Sequence, residues 1–256
     1  MPSSDPLLSA TKILNFDNPS INRLVRDRGW SALTTHERIG AVYDFVRNEI
    51  VFGYNRSDDI TASEVLADGF GQCNTKGTLL MALLRAVGVR CRFHGFTIHK
   101  ELQRGVVPEL VYPIAPSEII HSWIEVETEV GWQNLEGFIL DAPFLAALQA
   151  TFPNTSNLCG YGAGTDCLAS TPVEWTGGST YIQRTGIVQD FGTYDAPDEF
   201  YADHWQAFGA VKGLLYRHII RHWMNARVRR IRAGRVPKIP GLTHPNHSHK
   251  EVRHAS

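Results

Sequence analysis

Residues 69–90 read GFGQCNTKGTLLMALLRAVGVR, and this stretch decides the fold. Two glycines in three residues, Gly69 and Gly71, punctuate the chain. Directly after them Leu79, Leu80, Leu83, Leu84 and Val87 recur at helical spacing, and Gly88 falls where a helix ends in the left-handed conformation. The implied element is a buried helix that opens on Cys73. A helix N-terminus carries partial positive charge and unpaired backbone N–H groups, which lower a thiol's pKa and can hold an oxyanion. Cys73 is therefore the candidate nucleophile, and its backbone N–H is the expected oxyanion donor. A small cysteine merely packed at a helix start is the competing reading. Gln72 either lines the site or caps the turn. The Tyr54 hydroxyl is a further candidate donor, although a core role suits it better.

Working outward, Thr35 can cap a helix that runs to about Asn48, with Ile39, Val42, Tyr43, Phe45 and Val46 on its apolar face. Thr61 or Ser63 opens a short helical turn with Ala62, Val65 and Leu66 inward. Beyond Gly88 the period changes. Val89 to Ile98, Ile119 to Val126 and Trp132 to Leu140 read as strands, with Gly131 turning the hairpin between the last two. Leu102 to Ser117 holds three prolines and reads as a loop beside the strands. Helix followed by strands indicates an α+β layer fold.

The second strand reads His121-Ser122-Trp123-Ile124-Glu125-Val126, and its alternation sets His121, Trp123 and Glu125 on one face. From the strand start His121 is expected to reach a helix N-terminus packed across from it. The third strand carries Gly131-Trp132-Gln133-Asn134-Leu135-Glu136, and the hairpin turn brings Glu136 opposite the His121–Trp123 region. An acid there can fix the imidazole tautomer and stabilise the imidazolium. Asp141 is the alternative acid.

These residues resemble the transglutaminase-like superfamily of papain-fold enzymes. The resemblance runs over roughly residues 36–142 and rests on three motifs in the family's order: Gly71-Gln72-Cys73 opening a helix that ends in Gly88-Val89, the His121 strand, and Gly131-Trp132 followed by Glu136. The family usually has Asp at the third position, where this chain has Glu136, and often a Pro shortly after it, where this chain has Gly137. The resemblance implies a papain-like core with a Cys73–His121–Glu136 triad. It also implies a cysteine-dependent hydrolase acting on a peptide or amide bond through a thioester. Acyl transfer to an amine, and a protein that keeps the fold without the reaction, are the competing functions.

The chain of 256 residues carries a net charge of −1 that conceals an asymmetry. Residues 1–203 hold 14 Lys and Arg against 25 Asp and Glu, whereas residues 204–250 hold ten Lys and Arg and no acid. A basic helical segment docked on an acidic body is the plain reading. Phe208, Val211, Leu215, Ile219, His222 and Ala226 are expected to line one side of it. If it frames the site, it suits an anionic substrate. Nucleic-acid or membrane-surface binding is the less economical alternative. The expected organisation is a lead-in over 1–34, a catalytic domain over 35–200, a basic helical extension over 201–236 and a disordered tail over 237–256.

No run reaches the roughly 18 apolar residues needed to span a bilayer, and the first residues lack the pattern of a signal peptide. A cytoplasmic location is expected, with Cys73, Cys91, Cys159 and Cys167 as thiols rather than disulfides. No cofactor and no metal are expected. The tail histidines, His244, His247, His249 and His254, lack an ordered surround for a dedicated site.

Overall fold

The computed structural model describes residues 5–206, 210–239 and 253–254. In chain order its helices are α1 (Pro19–Arg28), α2 (Thr35–Asn48), α3 (Ala62–Asp68), α4 (Cys73–Ala86), α5 (Ala142–Thr151), α6 (Pro197–Asp203), α7 (Ala210–Leu215) and α8 (Arg221–Arg232), with a π-helical turn at Tyr216–Ile220 between the last two. The strands are β1 (Val51–Phe52), β2 (Phe70–Gly71), β3 (Cys91–His99), β4 (Glu118–Thr128), β5 (Gly131–Leu135), β6 (Leu158–Gly160), β7 (Ala163–Thr165), β8 (Ile187–Tyr194) and β9 (Arg253–His254). The main sheet has the order β5-β4-β3-β8-β9 and is antiparallel except at β9.

α4 is the centre of the molecule. Every residue from Cys73 to Arg85 is buried, so the helix has no solvent face. Its polar members are paired where they stand. Lys76 Nζ donates to the carbonyls of Arg47 and Ile139, each at 3.1 Å. Arg85 donates to the carbonyls of Ser9, Cys91 and Asp195. A buried cation without such partners would be prohibitive, and burial already pulls the Lys76 ammonium well below its usual range.

The sheet packs one face on α4. Register pairs Phe93 with Ile124, Gly95 with Ser122 and Phe96 with His121. Pleating then sends Phe93, Ile124 and Val126 into the main core. The opposite face gathers Phe96, Ile98, Leu102, Trp123 and Cys159 in a second cluster.

An α+β core, a central helix on an antiparallel sheet and a helical C-terminal extension are thus present. Several boundaries differ from the sequence reading. The helix at Thr35 is capped by Thr34, in a reciprocal box with Glu37. The third strand stops at Leu135 rather than Leu140, because the Glu136 N–H turns to the Thr180 carbonyl at 3.1 Å. The lead-in contains α1, capped by Asn18 with a proline in its first turn, and it packs on α4. α5 follows Asp141, which accepts from Phe144 N–H as its N-cap.

The extension buries Met224, Val228 and Ile231, not the side that Leu215 and Ile219 were expected to line. The π-helical turn shifts the register between α7 and α8. Leu215 and Ile219 are exposed, together with Trp205, Leu214 and Trp223. Phe208 and the tail over 240–252 and 255–256, including His244, His247 and His249, lie outside the described residues. Within the expected tail, the Tyr161 hydroxyl donates to the Pro237 carbonyl and accepts from Ile239 N–H.

Candidate active site

Cys73 opens α4 from a turn that its glycines make possible. Gly69 ends α3 at φ +69, the left-handed region. A Cβ on Gly71 would lie 2.6 Å from Thr75 Oγ1, so a larger residue would displace the first turn of α4. Both glycines therefore serve the α3–α4 junction. Gln72 is the residue at the N-cap. Its side chain reaches backwards, accepting from Asn55 N–H at 3.0 Å and donating to Asp58 Oδ1 at 2.8 Å.

Cys73 is 7% exposed and lines a cavity of about 750 Å³. Tyr54, Asp58, Gln72 and Asn74 form its wall near α4, and Val107, Ile114 and Ile120 come from the loop before β4 and from β4 itself. Tyr201, Trp205, Lys212, Tyr216, Arg217 and Met224 complete it from the C-terminal extension. The extension is thus a wall of the site. Three anchors hold it there. Asn225 pairs with both the N–H and the carbonyl of Tyr54, Tyr216 donates to the Asn55 carbonyl, and Arg232 donates to both oxygens of Asp141 at 2.9 and 2.7 Å.

His121 lies one strand away. Asn74, the residue after Cys73, ties α4 to both of its neighbours: it donates to the Ile120 carbonyl at 3.1 Å and accepts from Ser122 Oγ at 3.0 Å. The His121 ring itself points to the other face of the sheet from α4, where it stacks on Phe96 at 4.7 Å. It therefore does not reach across to the helix terminus as the sequence reading expected. Nδ1 faces the Ser122 carbonyl oxygen and Nε2 the side-chain oxygen of Gln183, and the single N–H of a neutral ring can be donated to only one of them. Complete burial pushes its pKa down to about 3, against the bond to Ser122, so the ring is neutral.

Glu136 is fully buried where β5 has ended. Oε2 accepts from the N–H groups of Ile182 and Gln183, each at 3.0 Å. Oε1 has no hydrogen-bond partner among the described residues. Burial pushes the carboxyl up to about 7, although those N–H groups and Arg184 pull it down. Gln183 therefore stands between His121 and Glu136, bonded to one through its side chain and to the other through its backbone. Among the described residues no hydrogen bond joins Cys73, His121 and Glu136 directly.

Asp141 is committed elsewhere: it caps α5, accepts from Phe52 N–H at 2.9 Å and carries Arg232. The Tyr54 side chain borders the cavity beside Cys73. The Cys73 thiol is not activated by its helix terminus alone. Burial raises its pKa, Asp58 and Glu136 raise it further, and the N–H groups of Asn74 and Cys73 oppose them. All four cysteines are free, with Cys167 exposed.

Asn74, Gln183, Asp58 and Tyr201 escaped the sequence reading. A polar residue directly after Cys73, at the head of an apolar helix, was a usable signal for Asn74. Gln183 lies in an irregular run where spacing carries no information.

Residues 25–137 match the model of the transglutaminase-like superfamily. The match covers less than half of the chain. It ends one residue after Glu136 and contains Cys73 and His121. Among solved structures, a protein provisionally named a cysteine protease from Cytophaga hutchinsonii is similar at 15% identity and a TM-score of 0.41, over 53% of this chain and 42% of that one. The match thus spans less than half of that protein's chain. A search of curated proteins finds no match. Among the described residues no helix is long and apolar enough to cross a membrane.

Proposed function

We propose that the protein is a cysteine-dependent hydrolase of a peptide or amide bond, with Cys73 as nucleophile, His121 as general base and then acid, and Glu136 as the group that positions His121. The observation that carries this reading is the placement of Cys73. It is a thiol at the head of a buried helix, facing a cavity large enough for a peptide side chain and its flanking amides, in a transglutaminase-like segment.

Attack of Cys73 Sγ on the carbonyl carbon forms a C–S bond as the thiol proton passes to His121. The N–H groups at the start of α4 receive the developing oxyanion. His121 returns the proton to the leaving nitrogen, the C–N bond breaks, and a thioester remains. Water then attacks the thioester, His121 takes its proton, and the carboxylic acid leaves as the thiol is restored. The resting pair is a neutral thiol and a neutral imidazole, so the proton moves with the attack. For this the His121 ring leaves Gln183 and Phe96 and turns around the β4 edge that β5 vacates beyond Leu135. Transfer of the acyl group to an amine shares the first half of this route.

The test is acylation by p-nitrophenyl acetate followed by peptide mapping. The acyl group is expected on Cys73, with loss in Cys73→Ala and a fall of roughly a hundredfold or more in His121→Ala. Acylation confined to Cys167 would sink the reading.

A further inference from the structure

The cavity beside Cys73 contains a carboxylate that the mechanism does not use. Asp58 lies on the loop between β1 and α3 and lines the cavity together with Gln72, Cys73 and Asn74. Its hydrogen bond comes from a neutral amide, the Gln72 side chain at 2.8 Å, and the other near polar group, the Asn74 side chain, is neutral as well. Among the described residues it has no ion-pair partner. The near arginine, Arg56, is paired with Glu64 instead. A carboxylate in such a setting is costly to ionise unless a cation meets it. The same wall carries the side chains of Tyr54, Tyr201 and Tyr216. The Tyr201 hydroxyl is buried and has no hydrogen-bond partner among the described residues. A carboxylate among aromatic side chains is the arrangement that recognises ammonium groups, through charge and through the electron-rich ring faces.

We infer that this part of the cavity is a subsite for a cationic group of the substrate, a protonated amine or a guanidinium, held by Asp58 among Tyr54, Tyr201 and Tyr216 next to the thiol. The inference rests on the reading of Cys73 as the nucleophile and adds the charge of what Cys73 attacks. It reverses, for the inner cavity, the anionic preference that the basic extension suggested. Lys212 and Arg217 of the extension are exposed, whereas the groups whose charge acts on Cys73 are Asp58 and Glu136. A bound cation would also offset the charge of Asp58, which adds to burial in raising the thiol's pKa, so the correct substrate would favour its own attack.

The experiment compares second-order rates of disulfide formation at Cys73 with 2-aminoethyl, methyl and 2-sulfonatoethyl methanethiosulfonate. Sites are assigned by peptide mapping, and rates are normalised to those of free cysteine. The full chain is used at low ionic strength. The aminoethyl reagent is expected to react about tenfold faster than the sulfonatoethyl reagent, as field focusing in a cleft produces. Asp58→Asn should bring the ratio close to one, and Asp58→Glu should keep it. Tyr201→Leu changes no charge, so a several-fold fall in the ratio there separates a built subsite from a carboxylate that is merely near. An unchanged ratio in Tyr201→Leu, or a wild-type ratio at or below one, overturns the inference while Cys73 still reacts. Failure of Cys73 to react with all three reagents would instead sink the nucleophile reading, and the subsite with it.

Discussion

The side-chain amide of Gln183 covers Nε2 of His121. Nδ1 faces the Ser122 carbonyl, so both ring nitrogens face oxygens and the neutral ring donates its one N–H to one of them, with the ring stacked on Phe96. On the proposed mechanism this is a resting position that Gln183 stabilises. Gln183→Ala removes the Nε2 partner but leaves the backbone N–H that Glu136 accepts. Acylation of Cys73 by p-nitrophenyl acetate should therefore rise by roughly tenfold or more, since misplacing a catalytic group costs rates of that order. The gain should vanish when His121→Ala is added. A single variant as slow as wild type would mean that the ring does not move to act.

Glu136 gives a pH signature. Its folded pKa, about 7, lies above the usual carboxylate value of 4.5. Between those values the folded state holds the proton more tightly than the unfolded state does. The group's contribution to stability is therefore complete below about pH 4.5 and lost as the pH rises through 7. Glu136→Gln abolishes this loss. Relative to wild type, its unfolding free energy should improve between pH 5 and pH 8 by up to roughly 3 kcal/mol. His121 acts oppositely: its folded pKa, about 3, lies below the usual 6.5, so its contribution is lost as the pH falls from 6.5 toward 3. Urea titrations of both proteins at the two pH values check this. A constant difference would show that Glu136 ionises normally.

How much of this arrangement the sequence discloses depends on whether one residue's neighbours are local. α4 was legible because its apolar repeat and terminal glycine lie within one run, and β3 and β4 because period-2 alternation is a local property. The placement of Cys73 at a helix head follows from the same run. The orientation of the His121 ring was not legible. Alternation assigns it to a face, but which face takes α4 is decided by Ser122, Ile124 and Val126 packing against that helix. Gln183 and Asp58 were hidden for the same reason, since each enters the site from a loop whose path is set by tertiary contacts. The alternative acid, Asp141, has a pattern, an acid shortly before Pro143, that is equally that of a helix N-cap, and the Arg232 that occupies it lies 91 positions on.

The Asp141–Arg232 pair predicts how the extension is held. The Asp141 side chain is 1% exposed, and that of Arg232 19%. Burial pushes the Asp141 carboxyl up, but the bonds and charge of Arg232 outweigh it and leave it below its usual range. Arg232→Ala strands that carboxylate beside Lys76, with a cost of about 3–5 kcal/mol. The expected result is a lower urea midpoint and faster tryptic cleavage within residues 210–235. Arg232→Ala combined with Asp141→Asn should recover part of the loss, because the uncompensated charge is then gone. A single variant as stable as wild type would show that the extension is held by its apolar contacts alone.

The aromatic wall depends on a glycine in the sheet. Gly95 lies in the middle of β3, opposite Ser122 on one side and Gly192 on the other. The Phe200 ring of α6 lies directly over it, and an added Cβ would come within 2.2 Å of that ring. Phe200 is fully buried against Phe93 and Tyr194, so it has nowhere to retreat within the core. Gly95→Ala therefore pushes α6 outward, and Tyr201 moves with it. Overpacking of this kind costs about 1–3 kcal/mol. The consequence at the site is more specific: the preference of Cys73 for the aminoethyl over the sulfonatoethyl reagent should fall as it does in Tyr201→Leu, while Asp58 remains in place. Phe200→Leu in the Gly95→Ala background makes room for the methyl group and should restore both the thermal midpoint and the preference. If the midpoint falls but the preference is untouched, α6 does not hold Tyr201 in the cavity wall.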